Sequence, residues 1–252
     1  MGRRTSFAPG TPSWVDVMCA DAPVGRRFYA ELFGWTPAIS AVPEAGEYTT
    51  FWLDGAPVAG LGPNPGSPIP DAWVAYVSVT DAATTLDVAR SHGARPLMAA
   101  TPVFGEGTMG AFADPSGIVA AVWEPTARIG AGIVNQPNSF VWSELSTPDL
   151  DGAVEFYGKV FGWEATGEGE GARVFELGGR PVCGAHTSAP GEFPAWSVWF
   201  AVDECDVVAE RVVSLGGSIV LPPMVMGFGR GALVADPGGA VFGIGAIDDP
   251  AD

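Results

Sequence analysis

The sequence FYAELFGW at residues 28–35 returns as FYGKVFGW at residues 156–163, and further matches follow it along the chain. Three later pairs keep the same order: FWLDGAPVAG at 51–60 with FELGGRPVCG at 175–184, DAWVAY at 71–76 with PAWSVW at 194–199, and ADPSG at 113–117 with ADPGG at 235–239. Matches that keep their order over a whole chain indicate a tandem duplication. Two copies of one unit predict two modules with one cavity between them.

The duplication divides the 252 residues into two modules, each long enough to bury a core. We expect a first module at residues 8–126, a linker at 127–137 and a second module at 138–249. The linker is the stretch that has no counterpart in either repeat.

The chain is acidic, with 29 acidic against 12 basic residues and a net charge of −17. Nucleic acids and anionic membrane surfaces would repel such a chain, which argues against both as partners. The first residues, MGRRTSFAPGTPSW, have no apolar run after the arginines and predict neither a signal peptide nor a membrane anchor. The three cysteines lack metal or redox spacing and favour a reducing compartment. We therefore expect a cytoplasmic protein.

Each repeat begins with a strand that runs into a helix. Trp14 to Ala20 predicts the first strand, and Asp21 to Phe33 predicts a helix with Asp21 as its N-cap. Phe140 to Thr147 and Asp149 to Phe161 repeat the arrangement. Asp54-Gly55 and Gly178-Gly179 predict the turns of two hairpins. Further strands and helices are expected at Trp73 to Val79, Asp81 to His92, Trp196 to Val202 and Glu204 to Leu215.

These motifs resemble the vicinal oxygen chelate superfamily, which includes glyoxalase I, extradiol dioxygenases and bleomycin-resistance proteins. The resemblance rests on strand-D-x6-FY-x3-FGW, on G-x-P-V-x-G and on the closing D-P-x-G, each of which occurs twice in register. The chain looks closest to fused two-module members of actinobacterial type. The resemblance implies an α+β fold of two tandem βαβββ-type modules whose curved mixed sheets enclose a shared cavity.

The resemblance also implies where metal ligands would lie. Metal-dependent members have His or Gln at the start of the first strand of each module and Glu in the last strand. In this chain those positions fall on Trp14, Trp142, Ala121 and Gly243. None of the four can coordinate a metal, so we expect no metal site and no cofactor. The small residues Ala121 and Gly243 predict open space there.

Alternation along the first strand of each module separates its two faces. In the first module Val15 and Val17 face the helix, whereas Trp14, Asp16 and Met18 face the concave side. The second module repeats the concave set as Trp142, Glu144 and Ser146. Asp16 and Glu144 are candidate general acids or bases because a carboxylate beside an indole in an apolar site can have a raised pKa. Alternatively, both carboxylates pair with arginines or backbone amides at the module interface.

Other candidates complete the expected ligand site. Trp52 and Trp123 break the repeat and suit an asymmetric ligand. The glycine-rich segments at 103–110 and 225–231 are interpreted as mobile loops at the cavity mouth that contribute Met109, Met226 and Phe228, with Arg230 a further candidate.

His186 is read either as a solvent-facing loop residue or as a hydrogen-bonding or acid/base group at the cavity edge. His92 is read as an exposed helix end. The expected ligand-binding set is Trp14, Met18, Trp142, Ser146, Trp52, Trp123, Met109, Met226, Phe228 and His186.

These observations favour a metal-independent protein that binds an aromatic or polyketide-like metabolite or antibiotic for sequestration or carriage. The alternative is a metal-independent isomerase, cyclase or lyase of secondary metabolism that uses Asp16 or Glu144 as its general acid or base. A metal-dependent glyoxalase or dioxygenase would need ligands that the chain lacks at the implied positions. The expected partner is a small aromatic molecule, and the chain is either a monomer or a homodimer.

Overall fold

The computed structural model describes residues 2–64, 70–167 and 171–247, and within them each half of the chain forms one eight-stranded mixed sheet. The first half contains β1 (Pro12–Cys19), α1 (Ala22–Phe33), β2 (Thr36–Ile39), a 3-10 turn (Pro43–Ala45), β3 (Thr49–Leu53), β4 (Ala56–Pro63), β5 (Ala72–Ser78), α2 (Ala82–Ser91), β6 (Arg95–Val103), β7 (Gly107–Ala113) and β8 (Val119–Pro125). The second half contains β9 (Phe140–Thr147), α3 (Leu150–Phe161), β10 (Glu164–Thr166), β11 (Ala172–Leu177), β12 (Arg180–Thr187), β13 (Ala195–Ala201), α4 (Cys205–Ser214), β14 (Ser218–Met226), β15 (Gly229–Ala235) and β16 (Val241–Ile247). The predicted α+β class with two tandem modules is confirmed.

The sheets share one topology, which runs β2-β3-β4-β1-β5-β8-β7-β6 in the first half and β10-β11-β12-β9-β13-β16-β15-β14 in the second. Strand β1 is parallel to β4 and β5 is parallel to β8, while β1 and β5 pair antiparallel. Parallel neighbours need a crossover connection, which a helix supplies in each case. Each module therefore contains two βαβββ units side by side, one more than the sequence reading assigned to it.

The first helix of each module begins and ends as its sequence predicts. The Asp21 carboxylate accepts the N–H of Val24, and the Asp149 carboxylate accepts the N–H of Gly152. Both helices end at a glycine in the left-handed region, Gly34 at φ 71° in α1 and Gly162 at φ 74° in α3. Glycine adopts this conformation without the steric penalty of a Cβ.

The glycine-rich segments are hairpins rather than loops, so that part of the interpretation is wrong. Residues 103–110 join β6 to β7, and residues 225–231 join β14 to β15. A Cβ at Gly107 would collide with the ring of Trp123, and one at Gly231 would crowd Met226, Phe228 and Trp199. Here glycine lets a strand pass close beneath large side chains. Strands β6 and β14 are mostly exposed edge strands that contain prolines, which hides the usual alternation.

Both hydrophobic cores combine residues from the two halves. In one core, Phe28, Tyr29 and Phe33 of α1 pack with Phe200 and Phe242 of the second sheet. The other core packs the counterpart residues of α3 against Phe112 of the first sheet. The two modules are therefore joined through their helices.

The repeated motifs also bond across the two halves. The Tyr29 hydroxyl donates to Asp236 at 2.8 Å, and the Tyr157 hydroxyl donates to Asp114 at 3.0 Å. The Trp163 indole N–H donates to the carbonyl of Gly10 at 2.6 Å. The FY-x3-FGW motif of one half thus contacts the D-P motif of the other half. The two motifs are repeated together because each contributes to the core that the two halves share.

The stretch predicted as a linker lies along the first sheet. The N–H of Ala131 donates to the carbonyl of Ser13 at 2.7 Å, and the N–H of Gly132 donates to that of Pro57 at 2.7 Å. Ile133 is buried in the core that α1 shares with the second sheet. In the described segments, none of the helices has the length and apolar content that a bilayer span requires.

Candidate functional site

A cavity of about 1170 Å³ lies on the concave face of the second sheet. Strand β9 forms its floor, β11 and β12 form one wall, and the β14–β15 hairpin forms another. The N-terminal segment before β1 also lines the cavity, together with Val134 and Asn135 of the stretch after β8. Its aromatic and large apolar lining includes Phe7, Trp142, Val174, Leu177, Trp199 and Phe228. The cavity thus belongs mainly to one module instead of being shared equally by the two.

Glu144 is the acidic group among the described residues that line this cavity, and its carboxylate has two donors. The indole N–H of Trp142 donates to Oε2 at 2.9 Å. Nδ1 of His186 lies 3.2 Å from Oε1. On the far side of the imidazole, Nε2 lies 3.0 Å from Oε1 of Glu192. The histidine therefore connects a carboxylate in the cavity to a carboxylate in the loop after β12.

Electrostatics keep the imidazole of His186 charged. The hydrogen bond with Glu144, aided by Glu192, raises the pKa of His186 to about 9 against the opposing effect of burial. Burial would raise the pKa of Glu192, but the N–H of Ala189 and the imidazole outweigh it and lower that pKa. At neutral pH this is an imidazolium between two carboxylates, which fixes the direction of the Glu144 side chain.

Arginines also line the cavity, although the chain as a whole is acidic. Arg4 comes from the N-terminal segment, Arg173 from β11 and Arg180 from the start of β12. Among the described lining residues, these three cations stand against the single carboxylate of Glu144, which the His186 imidazolium offsets. The described part of the lining therefore has the opposite charge balance to the whole chain, which disfavours a cationic ligand.

The matching face of the first sheet is filled by its own side chains. Oδ1 of Asp16 accepts the indole N–H of Trp14 at 2.6 Å and the hydroxyl of Tyr48 at 2.6 Å. The guanidinium of Arg128 lies 5.2 Å from the ring centroid of Trp14 and pairs with Glu106. Burial raises the pKa of Asp16, against the lowering effect of the bonds from Tyr48 and Trp14. Asp16 is 8% exposed and does not line the cavity, so a ligand held there does not reach it.

The structure brings together some of the predicted site residues and separates the others. Trp142, Glu144, Met226 and Phe228 line the cavity. His186 lies in β12 rather than in a loop and touches Glu144, while the Ser146 hydroxyl lies 2.8 Å from that of Ser188. The remaining members belong to the first half and are absent from the described lining: Trp14, Met18, Trp52, Trp123 and Met109.

The separated residues have structural partners that explain their positions. The indole N–H of Trp123 donates to the carbonyl of Arg128 at 2.8 Å, and Met109 pairs with Trp123 in the sheet. Met18 lies against Gly62, while Trp52 pairs with Thr36 and Pro57. Arg230, a further candidate, pairs with Asp206 of α4. His92 caps the end of α2 as expected.

The residues at the implied metal positions do not fit a metal. The indole of Trp142 is engaged with Glu144, and a Cβ at Gly243 would fall within the ring of Trp199. The open space predicted at Gly243 is therefore wrong, because that tryptophan fills it. Across residues 2–64, 70–167 and 171–247, no three His, Cys, Asp or Glu side chains cluster in a way that could hold an ion.

Sequence reasoning missed two parts of the cavity wall. The N-terminal segment, including Arg4 and Phe7, has no repeat counterpart and no periodicity that would assign it to a site. Trp199 carried a usable signal, because it repeats Tyr76 and pairs directly with Trp142 across β9 and β13. The positions of Arg4 and Arg180 follow from the tertiary structure alone.

The chain is similar to known proteins both in sequence and in fold. The family model of the Glyoxalase/Bleomycin resistance protein/Dioxygenase superfamily matches residues 11–122 and 139–244. The anthracycline biosynthesis protein DnrV of Streptomyces peucetius is 36% identical over 259 residues, covering 95% of this chain and 94% of its own. The related protein DauV of Streptomyces sp. (strain C5) is 35% identical with the same coverage. The Mn(II)-bound glyoxalase from Novosphingobium aromaticivorans shares the fold, with a TM-score of 0.68 at 17% identity over 100% of this chain and 85% of that one.

Proposed function

The chain belongs to the Glyoxalase/Bleomycin resistance protein/Dioxygenase superfamily, and from that premise we propose that it binds an aromatic small molecule without a metal ion. The observation that carries the proposal is the aromatic cavity of the second module. In this cavity Trp142 lies at a position where the family resemblance implies a metal ligand. An indole offers a flat apolar surface for stacking and no lone pair for a metal.

The size and lining of the cavity support a ligand of several fused rings. Its volume of about 1170 Å³ lies slightly above the usual range for small-molecule sites, which is about 300–1,000 Å³. Trp142, Trp199 and Phe228 supply aromatic surfaces, and Met226 adds an adaptable apolar contact. The names of DnrV and DauV associate two relatives with anthracycline biosynthesis, which supports a polyketide-like ligand. Sequestration or carriage of such a metabolite or antibiotic is the role we propose.

The rest of the proposal concerns partners. The net charge of −17 argues against a nucleic-acid partner or an anionic membrane surface. The two modules already cover each other's helices within one chain, so the proposed monomer needs no second copy to complete its cores. A homodimer remains the alternative.

The second candidate function is metal-independent acid/base catalysis by an isomerase, cyclase or lyase. It is favoured by the series Glu144, His186 and Glu192, in which one carboxylate faces the cavity and the imidazole orients it. A base held by a second group that is itself oriented by a third is the usual architecture of proton-transfer sites. Glu144, which lines the cavity, is the carboxylate that we propose for this role in place of Asp16.

A metal-dependent glyoxalase or dioxygenase reaction has no comparable support. Trp14, Trp142, Ala121 and Gly243 provide no oxygen, imidazole or thiolate donor at the positions implied by the family resemblance. Stoichiometric, tightly bound iron, zinc or nickel in elemental analysis of the purified protein would overturn the metal-free proposal.

A titration tests the binding proposal. Polycyclic aromatic compounds, including hydroxyanthraquinones, should quench tryptophan fluorescence saturably in the wild type. Trp142→Phe should weaken binding by about 10-fold because it shrinks the stacking surface and removes the indole donor to Glu144. Trp14→Phe is the matched control in the first module and should change Kd by less than about twofold. Failure of every compound to bind, or equal effects of the two variants, would refute this assignment.

Glu144→Gln separates the binder from the enzyme. The variant keeps the shape of the side chain but removes its charge and most of its basicity. If a turnover is found and Glu144→Gln leaves kcat unchanged, the acid/base candidate fails while the binding proposal stands.

A further inference from the structure

Among the repeat positions at which the two halves differ, one places Tyr48 in the first half opposite Ala172 in the second. Strand pairing fixes this correspondence. Gly60 lies opposite Asp16 and Thr50, just as Gly184 lies opposite Glu144 and Val174. Two residues before Thr50 is Tyr48, and two residues before Val174 is Ala172.

In the first half the phenol of Tyr48 is bound like an internal ligand. Its hydroxyl donates to Oδ1 of Asp16 at 2.6 Å and accepts the indole N–H of Trp14 at 3.2 Å. A Cβ at Gly60 would collide with both the phenol oxygen and the carboxylate. Glycine at this position therefore makes room for the phenol and carboxylate to meet.

The second half retains the indole, the carboxylate and the glycine, lacks the phenol, and adds the imidazole of His186 where the first half has Gly62. Trp142 repeats Trp14, Glu144 repeats Asp16, and Gly184 repeats Gly60 with its missing Cβ directed at the Glu144 carboxylate. Ala172 reaches no further than its methyl group and lines the cavity together with Glu144 and Gly184. The phenol-binding groups of the first half thus have counterparts that face the cavity of the second.

We propose that the ligand of this cavity presents a phenolic hydroxyl to Glu144 in the place that Tyr48 occupies beside Asp16. The proposal rests on the function proposed above and specifies the ligand as a hydroxyaromatic molecule. The carboxylate of Glu144 accepts the phenolic hydrogen bond, and the indole of Trp142 lies beside it as that of Trp14 does in the first half. Arg4 and Arg180 at the cavity wall disfavour a cationic donor, such as an amine, in place of a hydroxyl.

A matched pair of probes tests the proposal on the full chain. 2-Naphthol and 2-methoxynaphthalene have the same rings, but methylation removes the donor and adds apolar surface. A hydrogen bond to a charged acceptor should favour 2-naphthol by about 10-fold or more, against the apolar trend. Fluorescence or calorimetric titration gives the ratio of the two Kd values.

Three variants locate the effect. Glu144→Gln should lower the preference for 2-naphthol at least severalfold, and Ala172→Tyr should weaken 2-naphthol binding by about 10-fold because the chain then supplies its own phenol. Tyr48→Phe is the control, since it removes the hydroxyl of the first half and should leave the ratio unchanged. Circular dichroism checks that each variant is folded, and either of the first two variants alone suffices for the test.

Each outcome decides between the proposals. A preference for 2-naphthol that depends on Glu144 or is blocked by Ala172→Tyr supports the phenol site. Equal binding of the two probes, or a preference that both variants leave intact, overturns the phenol site but leaves aromatic binding standing. If neither these probes nor the larger polycyclic compounds bind, both the phenol site and the proposed function are overturned.

Discussion

Asp16 and Glu144 occupy the same position of the repeat, yet their surroundings give them different chemistry. Asp16 is closed in by Trp14 and Tyr48, with the charge of Arg128 nearby. Glu144 keeps the indole donor, has the imidazole of His186 where the first half has Gly62, and has one side open to the cavity. Two exchanges account for much of this difference: Tyr48 is replaced by Ala172, and Gly62 is replaced by His186.

The charge state of His186 gives a prediction at the residue scale. Its pKa is raised to about 9 from an ordinary 6.5 in the folded protein, so its pairing with Glu144 and Glu192 stabilises the fold fully below pH 6.5. That stabilisation is lost as pH rises through about 9. We therefore expect the melting temperature of wild type to exceed that of His186→Gln near pH 6 and the difference to shrink by pH 10.

Proton NMR measures the same group directly, because His92 and His186 are the only histidines in the chain. The spectrum of His92→Gln contains the imidazole resonances of His186 alone, and their titration midpoint should lie at a pH of about 9. Glu192→Gln should lower that midpoint by removing one of the two carboxylates. A wild-type midpoint near 6.5 would contradict the ion pairing described here.

At the scale of elements, the pairing of β1 with β4 and of β9 with β12 decides where each carboxylate points. Gly60 and Gly184 are the residues opposite these carboxylates, and neither position has room for a Cβ. The need for glycine here comes from close approach by a side chain, not from backbone conformation, since neither residue has a positive φ.

Alanine at these two glycines should have unequal effects. Gly60→Ala should destabilise the protein by about 1–3 kcal/mol, because buried Asp16 and Tyr48 have little space to move. Gly184→Ala should cost less, about 1 kcal/mol, since the side chain of Glu144 is 25% exposed and can shift toward the cavity, although this strains its bonds with Trp142 and His186. Its main effect should be weaker ligand binding.

Urea denaturation measures both costs in free energy of unfolding. Gly227→Ala is the control for stability, because no atom lies within 4 Å of its added Cβ and its backbone is not left-handed. Equal destabilisation by Gly60→Ala and Gly184→Ala would mean that Glu144 is held as firmly as Asp16.

The sequence predicted some elements well because their signals are local. Asp21 and Asp149 cap helices, and alternation places Val15 and Val17 in the core and Trp14 and Asp16 on the opposite face. Strands β6 and β14 escaped prediction because these edge strands contain prolines and lack a buried face.

The open cavity escaped prediction for another reason. Alternation showed that Asp16 and Glu144 share a face, but not that Tyr48 and Arg128 fill the space beside one of them. Those side chains come from the segment before β3 and from the stretch after β8. Whether a concave face holds a ligand or its own side chains depends on such distant residues. Comparison of the two repeats shows that these residues differ, but it does not show that they fill the space.

The two halves of the molecule are held together because each contributes side chains to both hydrophobic cores. The core around Phe28 and Tyr29 of α1 includes Phe200 and Phe242 of the second sheet, and the buried hydroxyl of Tyr29 donates to Asp236. The second core is built in the same way around α3. A half on its own would expose these apolar faces and leave Asp114 or Asp236 without its tyrosine.

This arrangement predicts that the modules fold together. Residues 1–137 and 138–252, made as separate chains, should each lack a cooperative thermal transition, because each hydrophobic core would lose about half of its members. Co-expressed, the two chains should copurify one to one and recover a single transition, since the cut lies outside both sheets. Calorimetry and near-ultraviolet circular dichroism distinguish these outcomes. Cooperative unfolding of either half alone, at a melting temperature close to that of the intact chain, would show that its core is self-sufficient and that the tyrosine–aspartate bonds between halves only join modules already folded.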